Sequence, residues 1–239
     1  MTDLSPAASP VTGRIDGDVA VINVDDGKAN ALSFTLIDAL SAALDDAAKS
    51  AKAVVIVGRE GKFSAGFDLK IMTGDIADAR RLLGSGAELA LKIYMCPVPV
   101  VLGVTGHAMA MGGILTTCAD HRVGARGYFN IGLNEVAIGM PVPAFAVELC
   151  RDRLAKKWFT RCLQHAQMCS PDEAVEAGFL DETTEMGGVE IHSVTVAQRL
   201  ADTVKPDAFR ITRSNIRGAL AEQLKAKLDA DMARFDVAT

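Results

Sequence analysis

Two short stretches carry residues that could do acyl chemistry. The first is Phe63-Ser64-Ala65-Gly66-Phe67-Asp68-Leu69-Lys70, small at its centre and charged at its end. Ala65 and Gly66 let another group come close to the backbone, and Asp68 suits the first turn of a short helix. The second is Gly106-His107-Ala108-Met109-Ala110-Met111-Gly112-Gly113, which runs into Ile114-Leu115-Thr116-Thr117. Each stretch can turn tightly and offer one backbone N–H. Two such donors aimed at one oxygen make an oxyanion hole, which steadies the charge that develops on a carbonyl oxygen.

Something must hold these turns. Val54–Val57 and Val100–Val104 are apolar, largely β-branched runs, the pattern of strands buried on both faces. Each turn therefore follows a strand and opens a helix. Val19–Ala43 has the same strand-turn-helix order, a weak internal repeat that places the chain in the α/β class. Arg14–Val24 reads as a hairpin with an Asp-Gly turn, and Ser33 as the cap of a helix over 34–49. Ile76–Leu83 can be helical, with Gly84-Ser85-Gly86 interrupting it before a second helix that stops ahead of Pro97. Short strands are expected at 120–125, 128–131 and 135–138, then helices at 144–149, 154–167 and 171–177. From residue 190 the chain reads as helical. One stripe is Ile191, Val194, Ala197, Leu200 and Val204; after Pro206 another is Phe209, Ile216, Leu220, Leu224 and Leu228. Three regions follow: a loose tail at 1–11, a core at 12–189 and a helical region at 190–239.

Phe63–Lys70, Gly106–Gly113, Asn134-Glu135-Val136-Ala137-Ile138-Gly139 and Ser170-Pro171-Asp172-Glu173-Ala174 resemble four motifs of the crotonase superfamily, the enoyl-CoA hydratases and isomerases, in order and approximate spacing. With the similar Lys28-Ala29-Asn30-Ala31-Leu32, the resemblance spans nearly the whole chain. The first two motifs are specific together and weak apart; the last alone would mean little. The resemblance implies a spiral of ββα units with a C-terminal helical oligomerisation region, and a homotrimer or hexamer. It assigns one oxyanion donor to the N–H of Phe67 and the other to the N–H of Met111, where many members have glycine. A backbone donor survives that change. Ala65, Asp68, Leu69 and Lys70 match positions lining a coenzyme A channel. Glu135 matches one of two catalytic glutamates, and Ile114 stands where the other would be. Outside that pattern, a lone glutamate is most often simply solvated.

The implied function is an acyl-CoA enzyme of the hydratase/isomerase type in fatty-acid metabolism, with isomerisation favoured because Ile114 cannot carry a proton. The substrate would be a coenzyme A thioester, with no metal or redox cofactor. Two alternatives stay open: a non-catalytic acyl-CoA-binding homologue, and a thioester hydrolase or decarboxylase on the same scaffold. His107 reads as a packed turn residue, and Asp120 as a structural hydrogen-bond or ion-pair partner.

Composition sets outer bounds. Over 239 residues, 49% are hydrophobic and 23% charged, as in ordinary globular proteins. A net charge of −5 gives no basic surface for nucleic acid or an anionic membrane. The five cysteines are scattered and show no zinc spacing, which suits idle thiols in a reducing compartment. The first residues lack a basic segment followed by an apolar one, so the expected location is cytoplasmic.

Overall fold

The computed structural model describes residues 9–235. Its larger sheet has six strands: β1 (Val11–Asp16), β2 (Val19–Val24), β3 (Ala53–Gly58), β5 (Val100–Val104), β7 (His121–Ala125) and β9 (Glu182–Thr184), in the order 1-2-3-5-7-9. Only β1–β2 is antiparallel. Beside it lies a small parallel sheet of β4 (Gly61–Ser64), β6 (Gly106–Met109) and β8 (Ile131–Gly132).

The repeat is thus richer than strand-turn-helix. After β3 the chain enters the small sheet as β4, then forms α2 (Leu69–Met72). After β5 it enters as β6, then forms α4 (Met111–Cys118). These are ββα turns of a spiral. Alternation along the central strands explains the layering. Ala20, Ile22, Val54, Ile56, Val100 and Leu102 face the main core with α1 (Phe34–Ser50) and α3 (Ile76–Tyr94). Val19, Val21, Val55, Val57, Val101 and Val123 face the other way, covered by α8 (Val189–Thr203).

Several expectations hold locally. Gly17, at φ +59°, turns the first hairpin, and Ser33 Oγ accepts from the N–H of Leu36 to cap α1. Asp120 accepts from the N–H of Val100 and pairs with Arg213 and Arg217 of α9 (Pro206–Arg234). All five cysteines are buried and unbridged.

Others are corrected. The expected tail at 1–11 is shorter at its end, because Val11 is buried and opens β1; residues 1–8 lie outside the described part. Gly84-Ser85-Gly86 does not break α3, which runs unbroken from its Asp75 cap. Gly86 instead leaves room for a ring: a Cβ there would stand 2.3 Å from Cζ of Phe67. The strand expected at 135–138 is a turn followed by a 3₁₀ helix, Val136–Ile138, which Gly139 closes in the left-handed region at φ +79°. The strand expected at 128–131 shrinks to Ile131–Gly132, and β9 was not foreseen. The buried side of α8 is Val189, Ser193, Val196, Ala197 and Ala201, while Ile191 is exposed. The helical tail also has a core of its own chain to cover. Leu220, Leu224 and Leu228 pack on the main core, where α9 meets α3 and α5 (Ala144–Arg153). Ile211 and Ile216 remain 64% and 70% exposed.

Candidate active site

The first turn is tied down from Lys28–Leu32. Asn30 is fully buried, and its side-chain amide donates to the carbonyls of Val24 and Phe63. Ser64 Oγ donates to Asn30 O and accepts from the N–H of Gly66. The N–H of Leu32 donates to Gly66 O at 2.8 Å, and that of Asp68 donates to Leu32 O at 3.1 Å. In such an extended bridge, successive N–H groups point to opposite sides. Since Asp68 N–H faces Leu32, Phe67 N–H faces away from it. It has no acceptor among the described residues.

The second turn is strained. Ala110 has φ +51° and ψ −123°, a region that L-residues other than glycine rarely enter. Its N–H donates to Gly132 O at 2.9 Å. The conformation delivers Met111 as the first residue of α4. The N–H groups of a helix's first turn have no partner within the helix, and Met111 N–H finds no acceptor among the described residues.

Glycines bring the two turns together. A Cβ on Gly66 would stand 2.7 Å from Ala110 Cβ and 3.3 Å from Met111 N. One on Gly112 would stand 2.6 Å from Ser64 O. Only glycine permits that approach, and Gly66 also needs its φ of +92°. The result is two neighbouring turns whose Phe67 and Met111 N–H groups have no acceptor among the described residues.

The cavity is about 100 Å³. Ala65, Phe67, Ala110, Ile114, Asn134 and Glu135 share its wall, so most of the residues expected from the sequence converge. Met111 is buried next to Ala110. Leu69 reaches the wall from α2, whereas Lys70 is exposed, off the wall, and free of ion pairs among the described residues. Asp68 Oδ1 accepts from the N–H of Lys70, so its visible work is to cap α2. His107 lies off the wall; its Nδ1 accepts from Asn130 N–H and its ring meets Phe129 edge-on.

Glu135 is 8% exposed. Its Oε2, like Asn134 Oδ1, is buried with no partner among the described residues. Burial pushes its carboxyl up to about 7 from an ordinary 4.5, against a smaller opposing effect of backbone N–H groups. A carboxyl poised there can both take and return a proton near neutral pH. It is also the only ionisable side chain on this wall among the described residues.

Some wall residues escape sequence reading. Asn134 left a signal, since it sits beside Glu135 in a matched motif. Ala110 left none, because alanine is not a turn-former. Met72, Leu83, Met140 and Phe235 come from distant positions and look like ordinary core.

Residues 14–238 match the family described as enoyl-CoA hydratase/isomerase. The chain belongs to the enoyl-CoA hydratase/isomerase family. The mouse protein named mitochondrial enoyl-CoA delta isomerase 1 is 29% identical over 223 residues, which is 91% of this chain and 76% of that one. A solved structure titled as an enoyl-CoA isomerase of Mycobacterium tuberculosis superimposes with a TM-score of 0.90 at 38% identity, covering 95% of this chain and 99% of that one. One titled as an enoyl-CoA hydratase of Mycobacterium ulcerans gives 0.89 at 37%, covering 94% and 98%. Members of the enoyl-CoA hydratase/isomerase family therefore share this fold from end to end while bearing names of either activity. Among the described residues, no helix is long and apolar enough to cross a membrane, and no cluster of His, Cys, Asp and Glu is arranged to hold a metal.

Proposed function

We propose that the chain isomerises 3-enoyl-CoA to 2-enoyl-CoA, with Glu135 as its one proton carrier. The observation that carries this reading is the wall itself, where Glu135 is the only ionisable group among the described residues and Ile114 is buried beside it. The thioester carbonyl accepts from the N–H groups of Phe67 and Met111. The Glu135 carboxylate removes a proton from C2, and the C–H electron pair moves into an enolate whose oxygen both donors hold. The carboxylic acid then returns the proton at C4 as the double bond moves to C2–C3. Nothing is consumed, and the scheme uses neither a metal nor a redox cofactor. Each oxyanion donor contributes roughly 3 kcal/mol in sites of this kind.

Hydration in the two-glutamate style sets two carboxylates around one water. Here Ile114 leaves only one, and a missing general acid–base group costs about 10²–10⁴-fold. Crotonyl-CoA hydration is therefore expected to run that far below isomerisation. Ile114→Glu should raise hydration at least tenfold while lowering thermal stability, because it buries a second carboxyl beside the first. Unchanged hydration in a folded Ile114→Glu protein would contradict this explanation of the preference.

Lys70, exposed and in no ion pair among the described residues, is proposed to meet a phosphate of coenzyme A, and the pathway is proposed to be fatty-acid metabolism in the cytoplasm. Ile211 and Ile216 are proposed to bury between subunits of a trimer or hexamer. Sedimentation should show that assembly, and a clean monomer at micromolar concentration would contradict it.

A further inference from the structure

The cavity wall has one member from the far end of the chain. Phe235 follows the last residue of α9 and is only 7% exposed. Its backbone is fixed on both sides: its N–H donates to Met232 O at 3.1 Å, and its carbonyl accepts from Arg80 Nε at 3.0 Å. Arg80 belongs to α3, the helix that also supplies Leu83 to the wall. Met72, Leu83, Met140 and Phe235 make this part of the wall wholly apolar.

Such a surface suits the hydrocarbon end of an acyl chain and offers nothing polar to it. The space is small, about 100 Å³, so a residue that intrudes on it decides how much of an acyl chain can enter. The residue is buried and its backbone is anchored at two points, so the ring narrows this part of the cavity. The chain continues beyond α9 in an extended conformation at Phe235, φ −64° and ψ 125°, so the ring marks the point where the helix ends at the cavity.

We propose that Phe235 is the chain-length stop of the acyl site, restricting productive substrates to short acyl groups. This rests on the reading of the cavity as the acyl site, but not on which reaction occurs there. Arg80 is a positioning residue that holds the stop in place.

Saturated acyl-CoA thioesters test the wall without any chemistry, since they carry no double bond to move. Calorimetry with butanoyl-, hexanoyl-, octanoyl- and decanoyl-CoA should show affinity ceasing to rise beyond hexanoyl in the unmutated protein. In Phe235→Ala each further methylene should add up to about fourfold, the equivalent of roughly 0.8 kcal/mol per buried CH₂. The decanoyl-to-hexanoyl affinity ratio should then move by tenfold or more. Phe235→Trp should act oppositely, lowering hexanoyl relative to butanoyl, and it guards against a mere loosening of α9. If the unmutated protein gains affinity steadily through decanoyl, or neither folded variant changes its ratios, Phe235 is not the stop. If the ratios move as expected while no 3-enoyl-CoA is turned over, the stop stands and the isomerase reading falls.

Discussion

Glu135→Gln is expected to lower 3-enoyl-CoA isomerisation by 10³-fold or more, with acyl-CoA affinity changed by less than about threefold. General acid–base groups contribute about 10²–10⁴-fold, and a single shuttle that works in both half-steps belongs at the upper end. The unmutated protein should show kcat/KM rising with pH through about 7, because the carboxylate is the active form of the base and its carboxyl sits there. The same substitution carries an opposite stability signature. Below pH 4.5 the carboxyl is neutral in both folded and unfolded chains and favours neither. Between 4.5 and 7 it ionises only in the unfolded chain, so stability is lost as pH rises through that window. Above 7 the loss is complete. Glutamine escapes it, so the stability difference should shift in favour of Glu135→Gln by about 3 kcal/mol from one end of the window to the other. Urea unfolding at pH 4 and pH 8 reads this directly. An unshifted difference would mean that the carboxyl titrates normally.

Gly66→Ala is expected to lower kcat by about 10²–10³-fold without abolishing folding. Its Cβ would stand 2.7 Å from Ala110 Cβ, 3.0 Å from Met109 O and 3.3 Å from Met111 N, so it wedges the two donor turns apart. Misplacing one donor costs roughly 3 kcal/mol of transition-state stabilisation. The left-handed φ of +92° and the overpacking together cost about 2–4 kcal/mol of stability, which a domain of ordinary stability survives. Gly66→Ala with Ala110→Gly should recover part of the loss. The second change removes the nearest clashing atom and relieves the φ of +51° at Ala110. Steady-state kinetics of both singles and the double give the coupling. Strict additivity in a folded double variant would mean that the turns do not meet as described.

What the sequence made legible was local and periodic. The apolar runs of β3 and β5, the Ser33 cap and the two small-residue turns each announce themselves within a few residues. The meeting of Phe67 and Glu135 on one wall came through the motifs and not through spacing. Glu135–Ile138 misreads as a strand because Val136 and Ile138 alternate with Glu135 and Ala137; in the fold Glu135 is buried while Val136 and Ile138 are both exposed, and Gly139 at φ +79° turns the segment back. Gly84-Ser85-Gly86 misreads as a helix break because the purpose of Gly86 lies in another element, the ring of Phe67. The stripe from Phe209 to Leu228 belongs to the region that the resemblance assigns to oligomerisation. Its Leu220–Leu228 part already packs within this chain, which periodicity alone cannot distinguish. Phe235 gave no local sign, since the other wall residues lie far from it in sequence; its bond with Arg80 spans 155 residues.

The central claim is that one buried carboxylate over two backbone donors shifts a double bond and does little else. Incubating the unmutated protein with 3-hexenoyl-CoA and, separately, crotonyl-CoA, then following products by mass spectrometry with chromatographic separation, tests it most directly. The account predicts rapid conversion of 3-hexenoyl-CoA to a conjugated isomer of unchanged mass, with gain of a water from crotonyl-CoA slower by about 10²–10⁴-fold. Water gain as fast as isomerisation, release of free coenzyme A or carbon dioxide, or tight binding with no turnover would each contradict it.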